Sequence, residues 1–372
     1  MLRFSDRDFN AEAIPQQELV SLKNTGVSAH AVDIDYSGNE YSAVGAFYNQ
    51  NSKLQEIGTR YANSAVANTQ RPIASIAKII TALVVVDHLK ISSSNPGETM
   101  TITGADENDW KQAVAQNETN LPVYARASFT YAQLVHGMLV VSANNIANLL
   151  AAHAFGAFTN YKHAAAEYLK RHNLNSTTIG SDASGFDSST TSSLQNLVEL
   201  GKLTLENDFL KDAVAQNSVQ WCAGSGQTNV WHTNSTDALL GSDGFVGIKT
   251  GFTDDAGGCF LFAAKRQLAN TDVYLIGVVL GSPSVSARFS IAKNIVDSVD
   301  LQNSGENTGF SNFATSSWEL GKVELLSNMS VVAKYNTIAT VKSMRFLKNL
   351  RISAVLSGVM RSKLVLLIIL TH

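Results

Sequence analysis

The spacing of apolar and polar positions changes period several times along the chain. Residues 27–36 (VSAHAVDIDY) and 42–48 (SAVGAFY) alternate and carry β-branched and aromatic residues. They predict two strands joined by a turn at Ser37-Gly38-Asn39. From Ser75 to Leu89 the apolar residues cover every side, which predicts a buried helix, with a start signal at Pro72. Residues 91–128 are polar and turn-rich. Thr130-Tyr131-Ala132-Gln133 fits a capping box ahead of an apolar-periodic helix that ends near Val141. Further helical runs start at Asn145 and cover 161–171 and 191–204. Residues 245–249, 257–265 and 272–281 read as strands, and SPSVSARFSIAKNIVDSV after them as a helix. The connections at 36–41 and 266–272 are short, so those strand pairs should be antiparallel. Two strands, many helices, then three strands and a helix predict an α/β (α+β) fold. One antiparallel sheet, built from both chain ends, packs against a helical middle.

The expected layout is an N-terminal lead over 1–26, a main domain over 27–302, a linker around Asn303–Gly309, a small β-rich region over 310–342 and a tail over 343–372. In the tail, Phe346, Leu347, Leu350 and Ala354 share one face of a helical projection of 342–356, while Lys342, Arg345, Lys348 and Arg351 spread over the other. That pattern predicts a basic amphipathic helix suited to an anionic membrane surface. No acidic residue follows Glu324. Leu364–Leu370 is apolar but far too short to span a bilayer.

Composition narrows the function. The chain has 372 residues, a formal net charge of −3, and 45% hydrophobic against 16% charged residues, so no global basic charge points to nucleic acid. Cys222 and Cys259 are far apart and have no partners at zinc spacing, so no metal site is expected and both read as small buried hydrophobes. Asp6, Asp8 and Glu12 interrupt any apolar signal-peptide core at the N-terminus.

One residue does not fit its surroundings. Lys78 lies inside RPIASIAKIITALVVV, flanked by Ile76, Ala77, Ile79, Ile80, Ala82, Leu83, Val84 and Val85. On a helix Ser75 and Lys78 share a face, so hydroxyl and amine can meet. A buried amine loses solvation, its pKa falls, and it becomes a base near neutral pH. The alternative is a lysine that snorkels to the surface, and helix geometry alone balances the two evenly. The same four letters, SIAK, recur at Ser290–Lys293, where Phe289, Ala292, Ile295, Val296 and Val299 make an ordinary apolar stripe and Ser290 falls off it.

Two further motifs tip the balance. Ser142-Ala143-Asn144 stands at a break between two apolar helices, and Lys249-Thr250-Gly251 at a strand end. The ordered set S-x-x-K, S-x-N, K-T-G resembles that of penicillin-binding proteins and serine β-lactamases. Only Ser75 precedes both partners; Ser290 comes after K-T-G. The stretches IASIAKIITALVV, TYAQLVHGMLVVSANNIANLLA, TTIGSDASGFDSSTTSS and GIKTGFTDDAGGCFLFAAKR resemble the D-alanyl-D-alanine carboxypeptidases, the low-molecular-mass penicillin-binding proteins, over about residues 27–300.

The resemblance implies a β-lactamase/transpeptidase-like fold with a helical subdomain. It implies a serine D-Ala-D-Ala carboxypeptidase that acts on peptidoglycan stem peptides, needs no cofactor and is acylated by β-lactams. Ser75 would be the nucleophile, Lys78 the base and Ser142 the proton relay to the leaving amine. Asn144, Lys249, Thr250 and Gly251 would bind substrate, and the backbone N–H groups of Ser75 and Phe252 would form the oxyanion hole. The family often carries a C-terminal membrane anchor, which the basic tail fits in kind. The substrate implies an exported bacterial protein on the outer face of the cytoplasmic membrane or in the cell wall, although no signal peptide is present in this chain. A serine β-lactamase is the first alternative. Against it, Ala143 replaces the Asp of S-D-N, and no E-x-x-L-N stretch lies between Asn144 and Lys249, where Glu167, Glu199 and Glu206 occur. Ser184-Gly185-Phe186 instead resembles the S-G-L or D-G-L stretch of the carboxypeptidases. A non-catalytic cell-wall-binding member of the fold is the second alternative, and the intact Ser75, Lys78, Ser142 and Lys249 argue against it.

Overall fold

The computed structural model describes residues 19–21, 27–30, 34–222, 230–268, 271–303, 324–325, 330–335, 351–360 and 363–371. The chain divides into two compact units, the larger spanning Gln17–Asn303. That unit is organised by a five-stranded sheet whose strands are β1 (Ser42–Gln50), β2 (Lys53–Tyr61), β3 (Phe245–Thr253), β4 (Gly257–Leu268) and β5 (Thr271–Ser282). Their order is β3-β4-β5-β1-β2, and every neighbouring pair is antiparallel. Strands from both ends of the unit thus form one sheet, as the element order predicted.

Among the described residues the α-helices are, in chain order, α1 (Ala77–Leu89), α2 (Gly104–Ala115), α3 (Tyr131–Val141), α4 (Asn144–Phe155), α5 (Phe158–Arg171), α6 (Leu194–Glu206), α7 (Asp208–Val214) and α8 (Ala287–Ser298). Both faces of the sheet are covered. Along β5 the side chains alternate between two cores. Tyr274, Ile276, Val278 and Leu280 join the large core that holds α1, α3, α4 and α6. Val273, Leu275 and Val279 join the core under α8. Alternation between two buried faces is why these strands read as almost unbroken apolar runs. Helix α1 is buried at every position from Ala77 to Val86, Lys78 included.

Several expectations are corrected. Residues 27–36 and 42–48 do not pair. Val27–His30 pairs with Leu19–Ser21 and Asp300–Asn303 instead. Strand β1 turns back into β2 through Asn51 and Ser52, both at positive φ (52° and 61°), the geometry of a two-residue hairpin turn. β2 escaped notice because it is an edge strand with few apolar residues and only Leu54 and Ile57 buried. Helix α2 escaped because it buries only Asp106 and Ala113. Its signal was a capping box: Thr103 N donates to Asp106 Oδ2 at 2.7 Å, and Asp106 N to Thr103 Oγ1 at 3.3 Å. The expected box at Thr130 and Gln133 is present. Cys259 is buried, but Cys222 is exposed and so does not read as a buried hydrophobe.

The other unit takes in Ser304–His372. Its described strands, Glu324–Leu325, Ser330–Tyr335, Arg351–Met360 and Lys363–Thr371, form a four-stranded sheet in which Lys363–Thr371 lies between the second and third of these. The amphipathic helix expected over 342–356 is therefore corrected. Residues 342–350 lie outside the described residues, and Arg351–Met360 is a strand paired antiparallel with Lys363–Thr371. The β-branched residues Ile352, Val355 and Val359, paired with the apolar run Leu364–Leu370, favour a strand pair over an isolated helix.

The large core makes a direct prediction. Ile80 is wholly buried on α1, so Ile80→Ala should lower unfolding free energy by about 2–5 kcal/mol, read from the denaturant midpoint at unchanged slope.

Candidate active site

Ser75 sits in a single 3-10 turn, Ala74–Ile76, that runs directly into α1. First-turn N–H groups have no partner within a helix and face outward as donors. Ala74 adopts a left-handed φ of 46°, a strained position for a residue with a Cβ. Gly185 presses against this turn from the 182–187 loop; it has φ +73°, and a Cβ there would overlap the Ala74 carbonyl oxygen. Gly251 presses from β3, and a Cβ there would lie 2.9 Å from Ser75 N. Glycine at both positions is what lets three backbones converge on one serine.

Lys78 lies one turn on and is fully buried. Its Nζ contacts Ser75 Oγ at 2.8 Å, Asn144 Oδ1 at 2.7 Å and Ser184 O at 2.9 Å. The last two groups can only accept, so a neutral amine donates its two N–H bonds to them. Its lone pair is then left facing the Ser75 hydroxyl. The orientation of Asn144 is set from behind: its Nδ2 donates to Glu118 Oε2 at 2.8 Å, and a carboxylate cannot donate back. Burial pulls the Lys78 pKa down to about 7, against the opposing pull of Asp182 and Glu118. The snorkelling alternative is thereby excluded. The second SIAK behaves otherwise: Ser290 is exposed, and Lys293 forms surface ion pairs with Asp243 at 2.6 Å and Asp297 at 3.1 Å.

Asn144 opens α4 two residues after Ser142, which ends α3 at φ 69°. Ser142 is buried in this left-handed corner, and Asn144 N is anchored to Thr119 O at 2.7 Å. The Ser184 carbonyl is aimed by Asp182, whose Oδ1 accepts from Ser184 N at 2.6 Å, Ser184 Oγ at 2.6 Å and Gly185 N at 2.7 Å. Thr81 of α1 and Asn148 of α4 hold Ala183 by its carbonyl and its N–H.

The third motif lies on β3, the edge strand opposite β2. Lys249 is buried, and its Nζ donates to Thr250 O at 3.0 Å. Burial first, then Lys78 and Arg288, push its pKa well below the usual lysine value, and Asp237 opposes them. The Thr250 hydroxyl is 2.7 Å from that of Thr236, and Arg288 Nη1 donates to Gly251 O at 2.6 Å. Phe252 follows, half-exposed.

The structure brings Ser75, Lys78 and Asn144 into direct hydrogen bonding and sets Gly251 against Ser75. Ser142, Lys249, Thr250 and Phe252 are each held within two residues of these contacts. Sequence reading missed Glu118, Asp182, Thr236, Asp237 and Arg288. Asp182 alone had a signal, as it lies in the quoted stretch TTIGSDASGFDSSTTSS. The histidines stand apart: His136 meets Gln216 and His153 meets Asp106.

A family model described as D-alanyl-D-alanine carboxypeptidase matches residues 61–284. D-alanyl-D-alanine carboxypeptidase DacB2 of Mycobacterium tuberculosis is 31% identical over 206 residues, covering 54% of this chain and 64% of that protein. The match thus spans less than two thirds of the mycobacterial protein. A D-alanyl-D-alanine carboxypeptidase of Streptomyces is 28% identical over 267 residues, covering 69% of this chain and 86% of that one. The crystal structure of the Streptomyces K15 DD-transpeptidase superposes with a TM-score of 0.56 at 25% identity, over 69% of this chain and 96% of that one. The larger unit therefore has the DD-peptidase fold.

The Glu118–Asn144–Lys78 chain makes a prediction with a definite sign. Below about pH 7 Lys78 holds its third proton and has no lone pair, so the reaction of Ser75 with an acylating probe should slow as pH falls through that value. Glu118 raises the Lys78 pKa. In Glu118→Ala the midpoint should move to lower pH while the plateau rate drops, because the Asn144 amide is then free to flip. Intact-mass labelling against pH reads both.

Proposed function

The chain belongs to the D-alanyl-D-alanine carboxypeptidase family of serine peptidases, and we propose that it removes the terminal D-alanine of peptidoglycan stem peptides through an acyl-enzyme on Ser75. The observation that carries this reading is the Lys78 amine, sealed from water, with its nitrogen 2.8 Å from Ser75 Oγ.

The chemistry follows from the contacts. Ser75 gives its proton to Lys78 as Oγ attacks the carbonyl carbon of the penultimate D-alanine. The resulting oxyanion lies between the N–H groups of Ser75 and Phe252, on two backbones that Gly251 allows to approach closely. As the C–N bond breaks, the proton passes to the leaving amine, with Ser142 as relay. Water then attacks the ester and restores Ser75. Asn144 holds Lys78 and hydrogen-bonds the substrate amide. Lys249 supplies positive charge and Thr250 a hydroxyl for the terminal carboxylate, on an edge strand along which an extended peptide can lie.

Deacylation of a β-lactam adduct is slow. Glu206 is tied to Lys53 and Leu54 N, Glu199 to Lys202, and Glu167 lies exposed beside His163. Each thus has a partner of its own. Acyl transfer to an amine in place of water is the second reading, because the Streptomyces K15 relative is a DD-transpeptidase. Peptidoglycan lies outside the cytoplasmic membrane, so the outer face of that membrane or the cell wall is the place of action. No described helix is long and apolar enough to cross a membrane.

A fluorescent penicillin tests the reading. The parent should form a one-to-one adduct lasting many minutes, Ser75→Ala none, and Lys78→Ala one that forms about 10²–10⁴-fold more slowly. Rapid turnover without a lasting adduct would make the protein a β-lactamase. No adduct and no turnover on folded protein would leave a non-catalytic member of the family. Assaying a stem peptide with and without an added amine separates hydrolysis from transfer.

A further inference from the structure

One half-buried acid beside the K-T-G strand has no part in the chemistry above. Asp237 follows Thr236, whose hydroxyl is 2.7 Å from that of Thr250. Its Oδ1 accepts from Leu239 N at 2.9 Å, while its Oδ2 is buried and has no hydrogen-bond partner among the described residues. A buried carboxylate oxygen left unbonded is costly unless nearby charge balances it. Burial pushes the Asp237 carboxyl above the usual carboxylate range, and the cations that pull it back toward the charged form are Lys249 on β3 and Arg288 on α8. Arg288 is itself under-satisfied, since its Nε is buried without a hydrogen-bond partner among the described residues.

Lys249 has the complementary need. Its amine is fully enclosed and donates one hydrogen bond, to its neighbour's carbonyl. Lys78 and Arg288 both repel its charge, and Asp237 is the acid that opposes them. Lys78 is served by other acids, Asp182 and Glu118. The two buried lysines thus have separate acidic neighbours, as their opposite tasks require. One must be neutral to take a proton; the other must be charged to hold an anion.

We propose that Asp237 is a positioning residue for the substrate's terminal carboxylate, acting as the counter-charge that keeps Lys249 an ammonium. The proposal rests on the reading above that Lys249 receives that carboxylate. Two effects of removing the Asp237 charge compete. Repulsion between Asp237 and the incoming carboxylate is relieved, which would strengthen binding. Lys249 loses its counter-charge and gives up its proton more readily, which would weaken binding. The ammonium meets the carboxylate at contact distance, whereas Asp237 acts on it through Lys249 and the Thr236–Thr250 pair. Coulomb energy falls with distance, so the loss at Lys249 dominates.

The test uses the full chain and compares acylation by benzylpenicillin with acylation by its methyl ester, which lacks the anionic group. The ratio of the two rates reads the carboxylate site. Partial unfolding lowers both rates alike and leaves the ratio unchanged. In Asp237→Asn the ratio at pH 8 is expected to fall about tenfold, the equivalent of one pKa unit at Lys249. Its alkaline decline should move to lower pH, and Asp237→Glu should restore both. A ratio in Asp237→Asn that is unchanged or raised, with the alkaline decline unmoved, overturns the proposal. Lys249→Ala separates the two layers. A ratio that falls in Lys249→Ala but not in Asp237→Asn refutes the counter-charge alone. A ratio that holds in Lys249→Ala refutes the placement of the carboxylate on Lys249, and the proposal with it.

Discussion

A lysine amine buried in the middle of an apolar helix is the constraint from which the rest of the site follows. Helix α1 lies inside the larger unit with every position from Ala77 to Val86 enclosed. An amine there cannot keep its water shell. It is tolerated because three groups reach it from three other places: Ser75 from the preceding turn, Asn144 from the start of α4 and Ser184 from a loop. Burial brings the amine's pKa down to about 7, so that the neutral form is populated near physiological pH, and the two acceptors then direct its lone pair at the serine. The same burial that threatens stability thus makes the amine a candidate base.

Each of the three contacts is fixed by a further layer. Glu118 sets the Asn144 amide, and Asp182 closes the loop that presents the Ser184 carbonyl. Thr81 and Asn148 tie that loop to α1 and α4. Around the serine the backbone is forced into left-handed conformations at Ala74, Ser142 and Gly185. Non-glycine residues there cost of order 1–3 kcal/mol each, a strain that persists where the surrounding packing over-determines it. The large core supplies that packing, with α1, α3, α4 and α6 meeting the sheet.

The electrostatics divide the site in two. Lys249 lies within the fields of Lys78 and Arg288; Glu118 and Asp182 act on Lys78, and Asp237 acts on Lys249 and Arg288. Which lysine holds its proton depends on how these acids are distributed between them. The strand carrying K-T-G is at the sheet edge, so its backbone faces the serine turn, and Gly251 removes the side chain that would hold them apart.

Much of this was legible in the chain of letters, for local reasons. Apolar periodicity marked α1, α3 and the three late strands, because those elements bury long, regular faces. The order S-x-x-K, S-x-N, K-T-G marked Ser75, Lys78, Asn144 and Gly251, which the fold brings together. Where burial is slight the letters were silent, as for the edge strand β2 and for α2. In the tail an amphipathic spacing suggested a helix where Arg351–Met360 pairs as a strand. Two identical tetrapeptides show the limit most clearly. SIAK at Ser75 and SIAK at Ser290 have the same local preferences. Only the fold seals one lysine among Ser75, Asn144 and Ser184 and leaves the other paired to Asp243 at the surface. Helix, strand and motif are properties of neighbours in sequence, so the sequence by itself determined them. Burial, and with it the protonation state of Lys78 and the partners of Lys249, depends on residues tens to hundreds of positions away, so tertiary structure alone decided those.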